Sequence, residues 1–200
     1  LEPGSVGASI TNGIAVGYAV TSLEHRNFHG FRWMGGSLSD LGILAGDEHS
    51  LAFGVNANGE AVGISYKLGE LFSHGVLWSA NGTPTTLGNL EAHDINTNGV
   101  IAGSMPVNGA LGTSHATRWA SGVTTDLGTL GGFSSMAFGV SESGWVVGES
   151  LLADNKTTHA FLVAAGAMLD LGTNGGAGSR AMDINGLTVV GIADATGNLP

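Results

Sequence analysis

The sequence predicts an all-β fold, a β-propeller-like ring of four-stranded antiparallel blades, on three observations. First, a His-anchored phrase recurs as "HGFRW" (His29 to Trp33), "HGVLW" (His74 to Trp78), "HATRW" (His115 to Trp119) and "HAFLV" (His159 to Val163), at spacings of 45, 41 and 44 residues. Periods of roughly 40–50 residues belong to propeller blades. Second, 35 glycines stand beside only four prolines without a Gly-X-Y period, which argues for many tight turns and against collagen. Third, short apolar runs are broken by Asn/Ser-x-Asn/Ser-Gly steps such as Asn56 to Gly59 and Ser141 to Gly144, a strong local hairpin signal.

Each unit holds four short predicted strands. The first, such as Ala137 to Val140, runs into the polar turn. The second ends in a Val-Gly type step, and the two residues before Gly17, Gly63, Gly103, Gly148 and Gly191 are all Ala, Val or Ile. Adjacent apolar residues point to opposite faces of a sheet, so this strand needs cover above and below. The third strand carries His and then Trp or Val, and the fourth ends at a Leu-Gly step: Leu41-Gly42, Leu87-Gly88, Leu127-Gly128 and Leu171-Gly172. Units at 8–51, 52–91, 92–136 and 137–180, with a two-strand remnant at 181–200, form a single repeat domain. They suit a ring of about five blades, one incomplete. An incomplete ring leaves an edge open to self-association. A β-solenoid or open repeat array is the structural alternative, although solenoid rungs are usually shorter than these units.

Composition restricts function. With 42% apolar residues the chain can bury a core. Only 11% of residues are charged and the net charge is −10, so nucleic acid and anionic membrane surfaces, which demand a dense cationic face, are poor partners. The absence of cysteine removes disulfides, thiol catalysis and thiolate metal sites. The longest apolar run, Ala160 to Leu169, contains Gly166 and falls well short of the roughly 18 residues that cross a bilayer as a helix. The chain starts at Leu1 without methionine, and a signal peptide removed upstream is the expectation.

At the phrases "HAF" (His159 to Phe161) and "DLGTLGGFSSMAFGVSESGWVVGES" (Asp126 to Ser150) the chain resembles the HAF-repeat family of bacterial extracellular proteins. The resemblance covers nearly the whole chain. It departs from the pattern at His29-Gly30 and His74-Gly75, at Thr86 where the pattern has Asp, and in a contracted link at Asn89 to Glu91. It implies an extracellular or cell-surface repeat protein and no established catalytic residues.

Seven histidines invite a metal or acid-base reading, but His29, His74, His115 and His159 hold equivalent places in successive units. A residue repeated in every blade serves structure better than a single active site, and buried polar groups need partners. By analogy with WD-repeat blades, Asp40, Asp126 and Asp170 are the expected partners. "DINTNG" (Asp94 to Gly99) fits the opening of a calcium loop, with Asp94, Asn96 and Asn98 as alternate oxygen donors. The twelfth position of that loop is Met105 where an EF-hand places Glu, so a plain hairpin turn is the main reading and no cofactor is expected. Paired acids occur at Asp47-Glu48 beside His49, but no nucleophile elbow, zincin, Walker or dinucleotide motif exists.

The units differ most between strands two and three, at 18–28, 64–73, 104–114 and 149–158. In a propeller these loops share one rim, which varies without disturbing the blades. Glu24, His25, Arg26, Lys67, Glu70, Phe72, Asn108, Asp154 and Lys156 are therefore the candidate binding residues. The expected function is a secreted or surface-displayed binding or structural module for a glycan or protein partner. The alternatives are a carbohydrate-active hydrolase or lyase with a site at the channel, which needs carboxylates unique to single blades, and a segment of a longer adhesin.

Overall fold

A computed structural model describes residues 4–21, 27–107 and 112–195. Among them the chain is all-β, and no helix is long and apolar enough to cross a membrane. It divides into two compact units, 1–97 and 98–200.

The first unit contains two complete four-stranded antiparallel sheets. One runs in the order β1 (Val6–Thr11), β2 (Ile14–Val20), β3 (Phe28–Met34) and β4 (Ser37–Gly42). The next runs β5 (His49–Val55), β6 (Ala61–Tyr66), β7 (His74–Trp78) and β8 (Pro84–Gly88). Strand β9 (Glu91–Ile95) closes the unit. The second unit begins with β10 (Ile101–Pro106), β11 (Ser114–Ala120) and β12 (Val123–Asp126), paired antiparallel in that order. A complete sheet of β13 (Gly131–Val140), β14 (Val146–Leu152), β15 (Thr158–Val163) and β16 (Met168–Gly172) follows, and then the hairpin of β17 (Gly175–Asn185) and β18 (Thr188–Ala195). The antiparallel pairing within these sheets rules out the solenoid alternative, whose rungs stack in parallel.

Apolar faces are buried sheet against sheet. In the first unit Ile14, Val16 and Leu41 pack on Ala52, Val55, Ala61, Val76 and Trp78. In the second, Val146 joins a core with Ala102, Ala116, Val140 and Phe161, while its neighbour Val147 joins another with Ala160, Ala181 and Ile184. Successive residues of one strand thus enter different cores, because alternate side chains leave opposite faces of the pleat. On the terminal hairpin Val190 and Ile192 stay exposed.

The Val-Gly step has a steric cause. The first strand of each complete pairing bulges, at Gly7/Ser9, Ala52/Gly54, Ala137/Gly139 and Ala181/Asp183. A Cβ on Gly17, Gly63, Gly148 or Gly191 would overlap the carbonyl oxygen of Val6, Leu51, Met136 or Arg180 respectively. Bulged strands bend toward their partner, and only glycine leaves room.

The first strands begin earlier than the sequence motifs indicate. Borders drawn at 52, 92, 137 and 181 fall inside β5, β9, β13 and β17. The serines of "GGFSS" (Gly131 to Ser135) are strand residues that serve as fasteners. Ser135 Oγ donates to the Gly128 carbonyl at 2.6 Å and accepts the Ala116 N–H at 2.8 Å. Ser50 makes the same two bonds, to Gly42 O at 2.6 Å and from Gly30 N–H at 2.9 Å. Ser179 repeats them with Gly172 O and Ala160 N–H. Each serine ties its own strand to the preceding sheet, and all three are buried.

Candidate functional site

The repeated histidines pair with carboxylates. His29 Nδ1 meets Asp40 Oδ2 at 2.9 Å, His115 meets Asp126 at 2.9 Å, and His159 meets Asp170 at 2.9 Å. In each pair the Asp also accepts the N–H of the glycine two residues on, Gly42, Gly128 or Gly172, at 2.7 Å. Those glycines have φ near +70°, a region open to glycine at little cost. One carboxylate therefore caps a tight turn and orients an imidazole. Burial works against ionisation of Asp170, but hydrogen bonds from His159 and Gly172, and the His159 charge, outweigh it and hold its pKa below the ordinary value.

The second sheet departs from this scheme. Thr86 stands where the others have Asp, and its hydroxyl still caps the turn by accepting the Gly88 N–H at 3.1 Å. With no carboxylate at that position, His74 turns instead to Asp47 in the β4–β5 connection, 3.2 Å from both carboxylate oxygens. Glu70 of the β6–β7 loop stands beside them: one ligand atom each of Asp47, Glu70 and His74 lie within 4.8 Å of one another. Glu48 ties the β4–β5 connection to the end of β6 and the loop beyond it: its N–H donates to the Tyr66 carbonyl at 3.0 Å and its carboxylate accepts the Leu68 N–H at 3.4 Å.

Next to this edge runs a row of rings. Tyr18 meets Phe28 edge-on at 6.1 Å, Phe28 lies 6.2 Å from His49, and His49 stacks on Tyr66 at 4.8 Å. Both tyrosines of the chain are in this row. His49 is buried and its Nδ1 accepts the Phe28 N–H at 3.1 Å, which leaves the proton of the neutral ring on Nε2. That buried Nε2 has no hydrogen-bond partner among the described residues. Burial, and secondarily the neighbouring Tyr18, raise the Tyr66 pKa above its ordinary value.

Of the residues singled out from sequence, Glu24, His25, Arg26 and Asn108 lie outside the described residues. Lys67 and Glu70 frame a turn in which the Glu70 N–H donates to the Lys67 carbonyl at 3.3 Å, and Phe72 is half-buried further along that loop. Asp94 accepts the Ile95 N–H at 2.8 Å, and the Asn96 carbonyl accepts from Asn56 at 2.9 Å. In the second unit the Asn98 amide donates to the Glu142 carbonyl at 3.1 Å. Tyr18, Phe28, His49 and Tyr66 were not among the sequence candidates, and neither was Asp47 as the partner of His74.

Asp154 and Lys156 share an exposed turn between β14 and β15. The Asp154 carboxylate accepts the Thr157 hydroxyl at 2.5 Å and the N–H groups of Thr157 and Lys156 at 2.9 Å each. The Thr157 side-chain bond first, and then the two backbone bonds, lower its pKa from 3.8 to about 2. The sign follows from linkage: the carboxylate steadies this turn above the unfolded value near 3.8, and the contribution is lost as pH falls toward 2. The protection factor of the Thr157 amide, its exchange corrected for the intrinsic pH dependence, is expected to fall across that window, and Asp154→Asn is expected to abolish this fall. An acid-insensitive amide in the unmodified chain would contradict the assignment.

The open clefts of the second unit lie against β17 and β18, with Ser179, Arg180, Ile192 and Ala193 in both. There Arg180 pairs with Glu149 at 2.7 Å and lies 5.4 Å from the Phe138 ring centroid. The cation is paired but partly exposed, its side chain 42% accessible. The fold and site define an all-β repeat domain of four-stranded sheets with one chemically distinct edge. No protein-family model matches the chain, and no curated protein matches it significantly.

Proposed function

We propose that this chain is a binding module of the HAF-repeat kind, secreted or displayed at a cell surface, whose ligand is a glycan held at the base of the β2–β3 and β6–β7 loops. The observation that carries the reading is the row Tyr18, Phe28, His49 and Tyr66. The half-buried rings of Tyr18, Phe28 and Tyr66, backed by the buried His49, offer apolar faces for the C–H face of a sugar, while tyrosine hydroxyls and nearby carboxylates supply polar contacts.

A glycan array followed by titration of the retained glycan tests the proposal. Removing a stacked aromatic anchor commonly costs 2 kcal/mol or more, so Tyr66→Ala and Tyr18→Ala are each expected to weaken binding at least ~tenfold. Leu187→Ser, in the exposed β17–β18 turn, is the control and leaves affinity unchanged. Affinity insensitive to both tyrosine variants would overturn the site. Turnover of a polysaccharide in a parallel hydrolysis screen would favour the carbohydrate-active enzyme instead.

A further inference from the structure

We infer that Asp47, Glu70 and His74 form a binding site for a divalent transition-metal ion, with zinc the best chemical match. This site is independent of the glycan reading and lies wholly within the first unit. Three observations carry it.

The first is the geometry. For metal bonds of about 2.0–2.2 Å, neighbouring ligands at tetrahedral or octahedral angles stand roughly 3.0–3.4 Å apart. His74 Nδ1 is 3.2 Å from each Asp47 oxygen, against 2.9–3.1 Å across the two oxygens of the other three His–Asp pairs. Glu70 is within 4.8 Å and exposed, so a change of rotamer brings its carboxylate to bonding distance.

The second is burial. The partner carboxylates of the repeated pairs are 41% to 55% exposed, whereas the Asp47 side chain is 4% exposed. Asp40, Asp126 and Asp170 each also take a glycine N–H, but among the described residues the Asp47 carboxylate has only His74. A carboxylate withdrawn from water calls for strong compensation, and a cation provides it.

The third is the break in the repeat. His74 has left the intra-sheet arrangement that the other three histidines keep, in the one unit where Thr86 replaces Asp. Thr86 leaves His74 without its usual acid, and the freed imidazole stands beside Asp47 and Glu70, a donor set that none of the other three histidines has among the described residues. One imidazole with two carboxylates is a borderline-hard donor set that suits zinc, and three protein ligands leave a position for water or for an oxygen of a bound ligand.

Isothermal titration of the chelator-treated full chain with zinc chloride tests the site. One equivalent is expected to bind, with affinity at least ~tenfold weaker in Glu70→Gln and saturable heat lost in His74→Gln. Thr86→Asp restores the carboxylate of the other sheets, draws His74 away from Asp47, and is likewise expected to weaken zinc. His115→Gln removes an ordinary pair and leaves binding intact. Should His74→Gln fail to fold, Glu70→Gln decides alone, since its side chain is exposed and makes no hydrogen bond among the described residues. Absence of zinc heat in the wild type, binding unchanged in Glu70→Gln, or equal loss in His115→Gln would each overturn the site. Calcium chloride binding more tightly than zinc would overturn the choice of metal.

Discussion

Gly63→Ala is expected to destabilise the chain by ~3 kcal/mol or more, read as a fall in the urea midpoint. Gly63 lies in β6 opposite the bulge at Ala52/Gly54, and a methyl group there would overlap the Leu51 carbonyl oxygen and crowd its carbon and the Ala52 Cα. All three are backbone atoms, so no rotamer change relieves the clash, and the strand must separate from its partner. Gly148 faces the same obstruction from Met136 and should respond alike. Gly59 provides the contrast. It sits in the β5–β6 turn at φ +82° with no atom nearer than 3.9 Å to the added Cβ, so Gly59→Ala pays only left-handed strain of roughly 1–2 kcal/mol. If Gly63→Ala proves milder than Gly59→Ala, crowding by the bulge is not what requires glycine.

Ser135→Ala is expected to cost ~2–3 kcal/mol, more than a typical hydrogen-bond deletion, because it strands the buried Ala116 N–H and also removes the part-buried bond to the Gly128 carbonyl. The Ala116 N–H and the Gly128 carbonyl both meet Ser135 Oγ, and the serine itself is 2% exposed. The Ala116 N–H gains no water when the hydroxyl goes, since it is buried. Denaturant melts give the size of the effect, and hydrogen exchange gives its place: the Ala116 amide should lose protection before amides in the middle of β14. A loss below ~0.5 kcal/mol, or unchanged exchange at Ala116, would show that the bonds are replaced by another acceptor and donor.

Much of the architecture was legible because it depends on period and on local chemistry. The Val-Gly step located the strand buried on both faces, and Val146 and Val147 do enter separate cores. The antiparallel four-stranded sheets follow from the hairpin turns. Strand starts were not legible, since Ser134 and Ser135 are turn formers by composition and are held in β13 by pairing with β14, where Ser135 faces Ser150, and by side-chain bonds to a sheet some twenty residues earlier in the chain. The candidate site was partly legible. Glu70 was flagged as a loop residue and Thr86 as a departure, but the link between them runs through Asp47, 27 residues before His74. A histidine deprived of its usual acid is a readable signal; which other acid it finds depends on the path of the β4–β5 connection. The aromatic row was hidden for the same reason, as Tyr18 and Tyr66 come from different sheets and no short motif contains both.

The hydroxyl at Thr86 has an implication for how such a chain changes over generations. Because it keeps the bend at Gly88 capped, the second copy surrendered an acid without surrendering its shape. A polypeptide written in duplicates carries spare fasteners, and undoing one frees a reactive side chain at small structural risk. New chemistry in such molecules should therefore be sought at the odd copy, where the pattern lapses, before the places where it is kept.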